Sequence, residues 1–105
     1  MYLRGTVWEY PFEPGTAPNP AVIVSNNGRN RSAWPLVHVV RATTSPREPR
    51  PTIVELLEGE PVGGLAGCDD LAPVAKAALG LRLGGLSPQV MQRVDAALKI
   101  VLDLH

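Results

Sequence analysis

V-I-V-S-N-N-G-R-N-R-S-A-W-P-L-V-H-V-V-R-A-T-T-S, from Val22 to Ser45, is the stretch on which the reading of the fold turns. Two valine-rich runs, of the β-branched type that suits a pleated sheet, flank a polar loop carrying Asn26, Asn27, Arg29, Asn30 and Arg31. The second run ends in Arg41, Thr43, Thr44 and Ser45. Strand ends therefore deliver guanidiniums, amides and hydroxyls. Guanidinium pairs bidentately with phosphate, and asparagine reads the edges of bases. Nothing in the segment has the pattern of a metal cage or a nucleotide-phosphate loop. The set suits a polyanion that carries bases, which is RNA.

Outward from this stretch the chain reads as short strands. Leu3 to Phe12 roughly alternates apolar and polar residues, as a strand does. Glu13 to Pro20 is turn chemistry with three prolines. Ala21 to Ser25 is a short apolar strand fit for burial on both faces, and Leu36 to Thr43 is the next. Ser45 to Pro51, with three prolines, predicts a mobile loop or an irregular edge. Thr52 to Leu57, Leu65 to Leu71 and Leu81 to Leu86 are further strand candidates, with a turn from Gly59 to Gly64. Pro73 to Leu79 predicts one or two helical turns stopped by Gly80. Ser87 and Pro88 open the best helix, as N-cap and first helical residue. Its apolar stripe is Val90, Met91, Val94, Leu98, Val101 and Leu102, with Gln92, Arg93, Asp95 and Lys99 facing away. The fold class is mainly β (α+β), a small β-barrel with a short helix and a closing amphipathic helix.

The 105 residues make one domain, spanning 1–105, and 45% hydrophobic content is ordinary for a folded one. Eleven prolines and ten glycines favour short strands and turns over a helical bundle. Net charge is zero, yet segregated. Gly28 to Arg50 holds five arginines against Glu48, whereas Glu55 to Asp70 holds five acids and no base. An anion would be drawn to one face only. Cys68 is the sole cysteine, which excludes an intramolecular disulfide. No apolar run approaches the ~20 residues of a membrane span, and the N-terminus lacks the charged-then-apolar pattern of a signal peptide. A soluble, cytoplasmic protein is expected.

Several local signatures resemble the MazF/PemK family of toxin endoribonucleases. They are R-G-T-V-W near the start, P-A-V-I-V-S-N-N, the strand end R-A-T-T-S, C-D-D-L, and L-G-G-L-S-P-Q-V-M-Q-R-V-D-A-A-L-K-I-V-L-D-L. The resemblance covers Arg4 to Leu104, and its last block is the most specific. It implies an SH3-like barrel, a homodimer, a cognate antitoxin, and cleavage of single-stranded RNA without metal or other cofactor. It also implies catalysis by an arginine before the P-A-V-I-V strand and by a hydroxyl at the end of the third strand. Thr44 matches the second. At the first position this chain has Asn19 before Pro20, where the family usually has arginine. Asparagine brings no fixed positive charge to a phosphorane, which leaves Arg29, Arg31 and Arg41 as replacements.

The catalytic candidates are therefore Thr44, Arg29 and Arg41. The RNA-binding candidates are Asn19, Asn26, Asn27, Asn30, Arg31, Thr43, Ser45 and Arg47. Each has a plainer reading: Thr43 and Thr44 as β-formers, Asn26 and Asn27 as turn residues beside glycine, Arg29 and Arg31 as loop solubilisers. His38 between valines reads as a structural histidine, His105 as a frayed terminus, and Cys68 as core. Asp69 and Asp70 have no further ligands nearby for a metal. Two alternatives to the nuclease remain open: a gyrase-binding toxin of the CcdB-like branch, and a catalytically silent RNA- or protein-binding barrel.

Overall fold

The computed structural model describes residues 1–104, so the expected fraying of His105 lies outside the described residues. The apolar run after Pro20 is needed because its strand is covered on both sides. β1 (Thr6–Tyr10) pairs with β2 (Asn19–Ile23), which pairs with β3 (Leu36–Thr43). Ala21 and Ile23 enter a cluster with Trp8, Val37, Val39, Val74 and Leu79. Val22 and Val24 enter another with Val7, Val40, Ala42, Cys68 and Val94. A strand with two buried faces has no room for alternating polar residues.

β4 (Ile53–Glu55), β5 (Leu65–Ala75) and β6 (Arg82–Gly85) complete an antiparallel sheet in the order β4-β5-β3-β2-β1-β6. The expected small barrel is thus a curled sheet whose outer strands, β4 and β6, do not pair with each other. The last helix, numbered α2 in chain order (Pro88–Val101), starts as the sequence indicates: the Ser87 side chain accepts from the Val90 N–H and Pro88 follows. It closes the sheet with Val90, Val94, Ala97 and Leu98. Met91 and Val101 are partly buried against the same core, but Leu102, expected in the stripe, is exposed beyond the helix end.

Two further expectations are corrected. The polar loop after β2 contains a one-turn helix, α1 (Asn27–Arg31), because Asn26 caps it by accepting from the Arg29 N–H at 2.8 Å. Pro73 to Leu79 is not helical at its start. β5 runs on to Ala75, burying Val74 in the cluster with Val37, and only Lys76–Ala78 form a 3-10 turn, which has no side-chain cap. Pro73 is tolerated there because β4 covers only Leu65–Gly67, so β5 is an edge at Pro73 and needs no N–H on its open side. Asp95 faces away from the apolar stripe, as expected, and pairs with Arg4, whose Nε also donates to the Val24 carbonyl at 2.9 Å. That contact ties the N-terminus to α2.

Candidate functional site

β2 and β3 are antiparallel, so the start of β2 and the end of β3 share one end of the sheet. Asn19 and Arg41 meet there. Arg41 Nη2 donates to Asn19 Oδ1 at 2.7 Å, and Nη1 donates to Glu13 Oε1 at 2.9 Å. The guanidinium lies 5.1 Å from the centre of the Phe12 ring. Its Nε is buried and has no acceptor. Arg41 is therefore oriented on three sides by groups that the β1–β2 turn and the start of β2 supply.

Arg47 joins the same face by another route. Arg41 is the cross-strand partner of Gly67 on β5, and cross-strand partners project to the same side. Arg47, in the loop after β3, lays its guanidinium over Gly67 and pairs with Asp70 at 3.1 Å. A Cβ at Gly67 would stand 2.9 Å from Arg47 Nη1, so glycine is what lets the side chain cross. This contact anchors the proline-rich segment from Ser45 to Pro51 at Arg47. Two guanidiniums thus occupy neighbouring positions, each with one carboxylate.

The hydroxyls follow directly. Thr43 is buried, and its Oγ1 accepts the Ser45 N–H at 3.1 Å, which fixes the strand end. Thr44 and Ser45 are exposed beside it. Gly64, at φ +94°, passes so close that a Cβ there would lie 2.3 Å from the Thr43 carbonyl oxygen. Thr43 is thereby a scaffold residue, and Thr44 is the hydroxyl presented to solvent.

The asparagines of the polar segment have structural duties. Asn26 is the α1 cap. Asn27 Oδ1 accepts the Arg4 N–H at 2.7 Å. Asn30 is buried, accepts from the Ser25 hydroxyl at 2.5 Å and donates to the Ser25 carbonyl at 2.9 Å. Arg29 and Arg31 lie past the opposite end of β3 from Thr44, roughly 20 Å away at ~3.3 Å of rise per residue. Antiparallel pairing separates the two polar segments that sequence alone had set side by side. Arg29 rests over Trp34 instead, 5.3 Å from the ring centre.

Reading the sequence missed Phe12, Glu13, Asp70 and Trp34. Glu13 sits in a segment whose prolines and glycine spoke only of a turn, and its partner lies 28 residues away. Only strand pairing brings them together. Cys68 is fully buried, and its thiol is pushed up from 9.0 to about 11 by that burial, then by the nearby charges of Asp69 and Asp95. It is a core residue with no chemistry at neutral pH. Among the described residues, no group of three or more His, Cys, Asp or Glu side chains is placed to share a metal ion.

The model of the PemK-like, MazF-like toxins of type II toxin–antitoxin systems matches residues 3–102. The chain belongs to this family. An endoribonuclease MazF1 of Mycobacterium bovis is 37% identical over 102 residues, covering 97% of this chain and 93% of that protein. MazF4 of Mycobacterium tuberculosis matches equally well. Among solved structures, a mycobacterial endoribonuclease in complex with its cognate antitoxin superposes with a TM-score of 0.88 at 36% identity, covering 98% of this chain and 96% of that one. A MazE–MazF structure from Deinococcus radiodurans, at 21% identity and a TM-score of 0.79, shares the fold. In this fold Asn19, at the position where the sequence resemblance leads one to expect arginine, is held by Arg41.

Proposed function

We propose that this protein is the toxin of a toxin–antitoxin pair, a sequence-selective endoribonuclease that cuts single-stranded RNA without a metal. It acts in the cytoplasm as a homodimer and is neutralised by a cognate antitoxin. The 2′-hydroxyl attacks the adjacent phosphorus and the bond to the 5′-oxygen breaks, leaving a 2′,3′-cyclic phosphate and a 5′-hydroxyl. Proton transfer and charge stabilisation fall to the protein. Arg41 and Arg47 face the extra negative charge on the non-bridging oxygens, and the Thr44 hydroxyl donates to one of them. Glu13, held on Arg41, is the carboxylate at hand for the 2′-hydroxyl proton. Asn19 replaces the charge of the family arginine by orienting Arg41, a positioning role.

The observation that carries this reading is Arg41 fixed between Asn19 and Glu13 at the strand end that also presents Thr44. A homodimer is supported by the apolar side chains of Ile100, Leu102 and Leu104, all more than half exposed at the C-terminal end. Incubating the purified protein with a long structureless RNA, with and without chelator, tests the reading. Site-limited, chelator-resistant cleavage with cyclic phosphate ends is expected. No cleavage, or cleavage abolished by chelator, would sink it.

A further inference from the structure

We infer that Trp34, Arg29 and Asn26 form a second nucleotide subsite, which stacks an unpaired base of single-stranded RNA at the end of β3 remote from Thr44. This rests on the RNA-cleaving function proposed above and adds where the flanking strand is held.

Trp34 is 52% exposed, and the other aromatic rings are buried or half-buried. The Arg29 guanidinium lies over it at 5.3 Å, so a ring and a planar cation are already stacked. With Asn26 they line a shallow cavity of about 420 Å³. Asn26 is exposed and only its Oδ1 is engaged, in capping α1, which leaves its amide N–H groups for a base carbonyl. Two more cations stand nearby: Arg31, exposed on α1, and Lys76, whose Nζ reaches the Ser32 carbonyl at 2.8 Å. Among the described residues, the ion pairs engage Arg4, Arg41 and Arg47, and none engages Arg29, Arg31 or Lys76. A π-face, a stacked guanidinium, free amide donors and unneutralised cations are the parts of a site for a base and its phosphates. A second copy fits poorly, because an isologous contact would bring these cations against their own copies. An apolar peptide would meet a single ring.

The test uses 2′-O-methyl oligonucleotides, which lack the internal nucleophile and cannot be cut. One spans only a step that the wild type cleaves in RNA. The other is extended on both sides, far enough to reach the other end of β3. The wild type should bind the longer one more tightly, and Trp34→Ala should remove roughly 5- to 150-fold of that affinity, the range for one base–aromatic stack. Trp34→Phe should keep part of it. Trp8 is buried, so quenching of tryptophan emission by the longer oligonucleotide reports Trp34 and should vanish in Trp34→Ala. Unchanged affinity in Trp34→Ala, in a protein that still cleaves RNA, overturns the subsite and leaves the nuclease standing. A wild type that neither binds nor cuts RNA overturns both. Loss of self-association in Trp34→Ala, with RNA affinity intact, makes the patch a protein interface and also overturns the subsite.

Discussion

In the function proposed above, Arg41, held by Asn19 and Glu13, supplies the charge that Asn19 itself does not carry. Guanidinium can hold an amide oxygen and a carboxylate at once because its donors form a planar fork, which an ammonium lacks. Arg41→Lys should therefore behave nearly as badly as Arg41→Ala, with cleavage down by roughly 100- to 1000-fold, the range for removing one donor from a transition-state site. Asn19→Ala should cost less, roughly tenfold, for one hydrogen bond to a charged group worth about 1.5 kcal/mol. Single-turnover kinetics on a defined RNA measure both, and equal loss in kcat and kcat/KM marks a contact made only in the transition state. Thr44→Ala should lower kcat while circular dichroism stays unchanged, since Thr44 is exposed and outside the core. Full activity in that variant would remove Thr44 from the site.

Among the elements, strands and the closing helix were legible because their signals are local: Val22 and Ile23 for burial on two faces, Ser87 and Pro88 for a helix start. The bounds of β3, Leu36–Thr43, agree with the sequence reading. The sequence ends β5 at Leu71, because Pro73 has the signature of a helix start, and only the unpaired edge beside it explains why the strand continues to Ala75. The segment from Asn26 to Arg31 hides a contact of another kind: Asn30 closes the junction between β2 and α1 through Ser25. Asn30→Ala should destabilise the protein by about 1–3 kcal/mol, the cost of leaving buried polar groups unpaired, with no change in turnover per folded molecule. Urea unfolding and active-site titration separate the two effects. Stability unchanged with RNA affinity lost would restore Asn30 to a recognition role.

At the scale of the whole molecule, zero net charge conceals cations at both ends of β3. Arg41 and Arg47 each have a carboxylate partner, whereas Arg29 and Arg31 have none within the described residues. Affinity for single-stranded RNA should fall as salt rises, with a log–log slope of about 0.7 per phosphate contacted. Arg29→Ala and Arg31→Ala should each lower that slope by less than one unit. A wild-type affinity indifferent to salt would count against phosphate contact by these side chains. Stability has its own pH signature. The Cys68 thiol titrates at about 11 in the fold against 9.0 when exposed, so the folded state favours the protonated form. Its contribution is complete below pH 9 and is lost as pH rises towards 11. Cys68→Ala should flatten that part of the stability profile in denaturant melts taken across the range.

The burial of the only thiol has a practical consequence. Alkylation requires an exposed thiolate, so below pH 9 iodoacetamide should modify Cys68 only in molecules that have opened. The reaction rate becomes a clock for unfolding. Any ligand that binds the folded protein alone slows the clock by a factor of 1 + [L]/Kd, wherever on the surface it sits. Antitoxin, RNA or a second subunit can thus be ranked by thiol trapping of the unlabelled native chain.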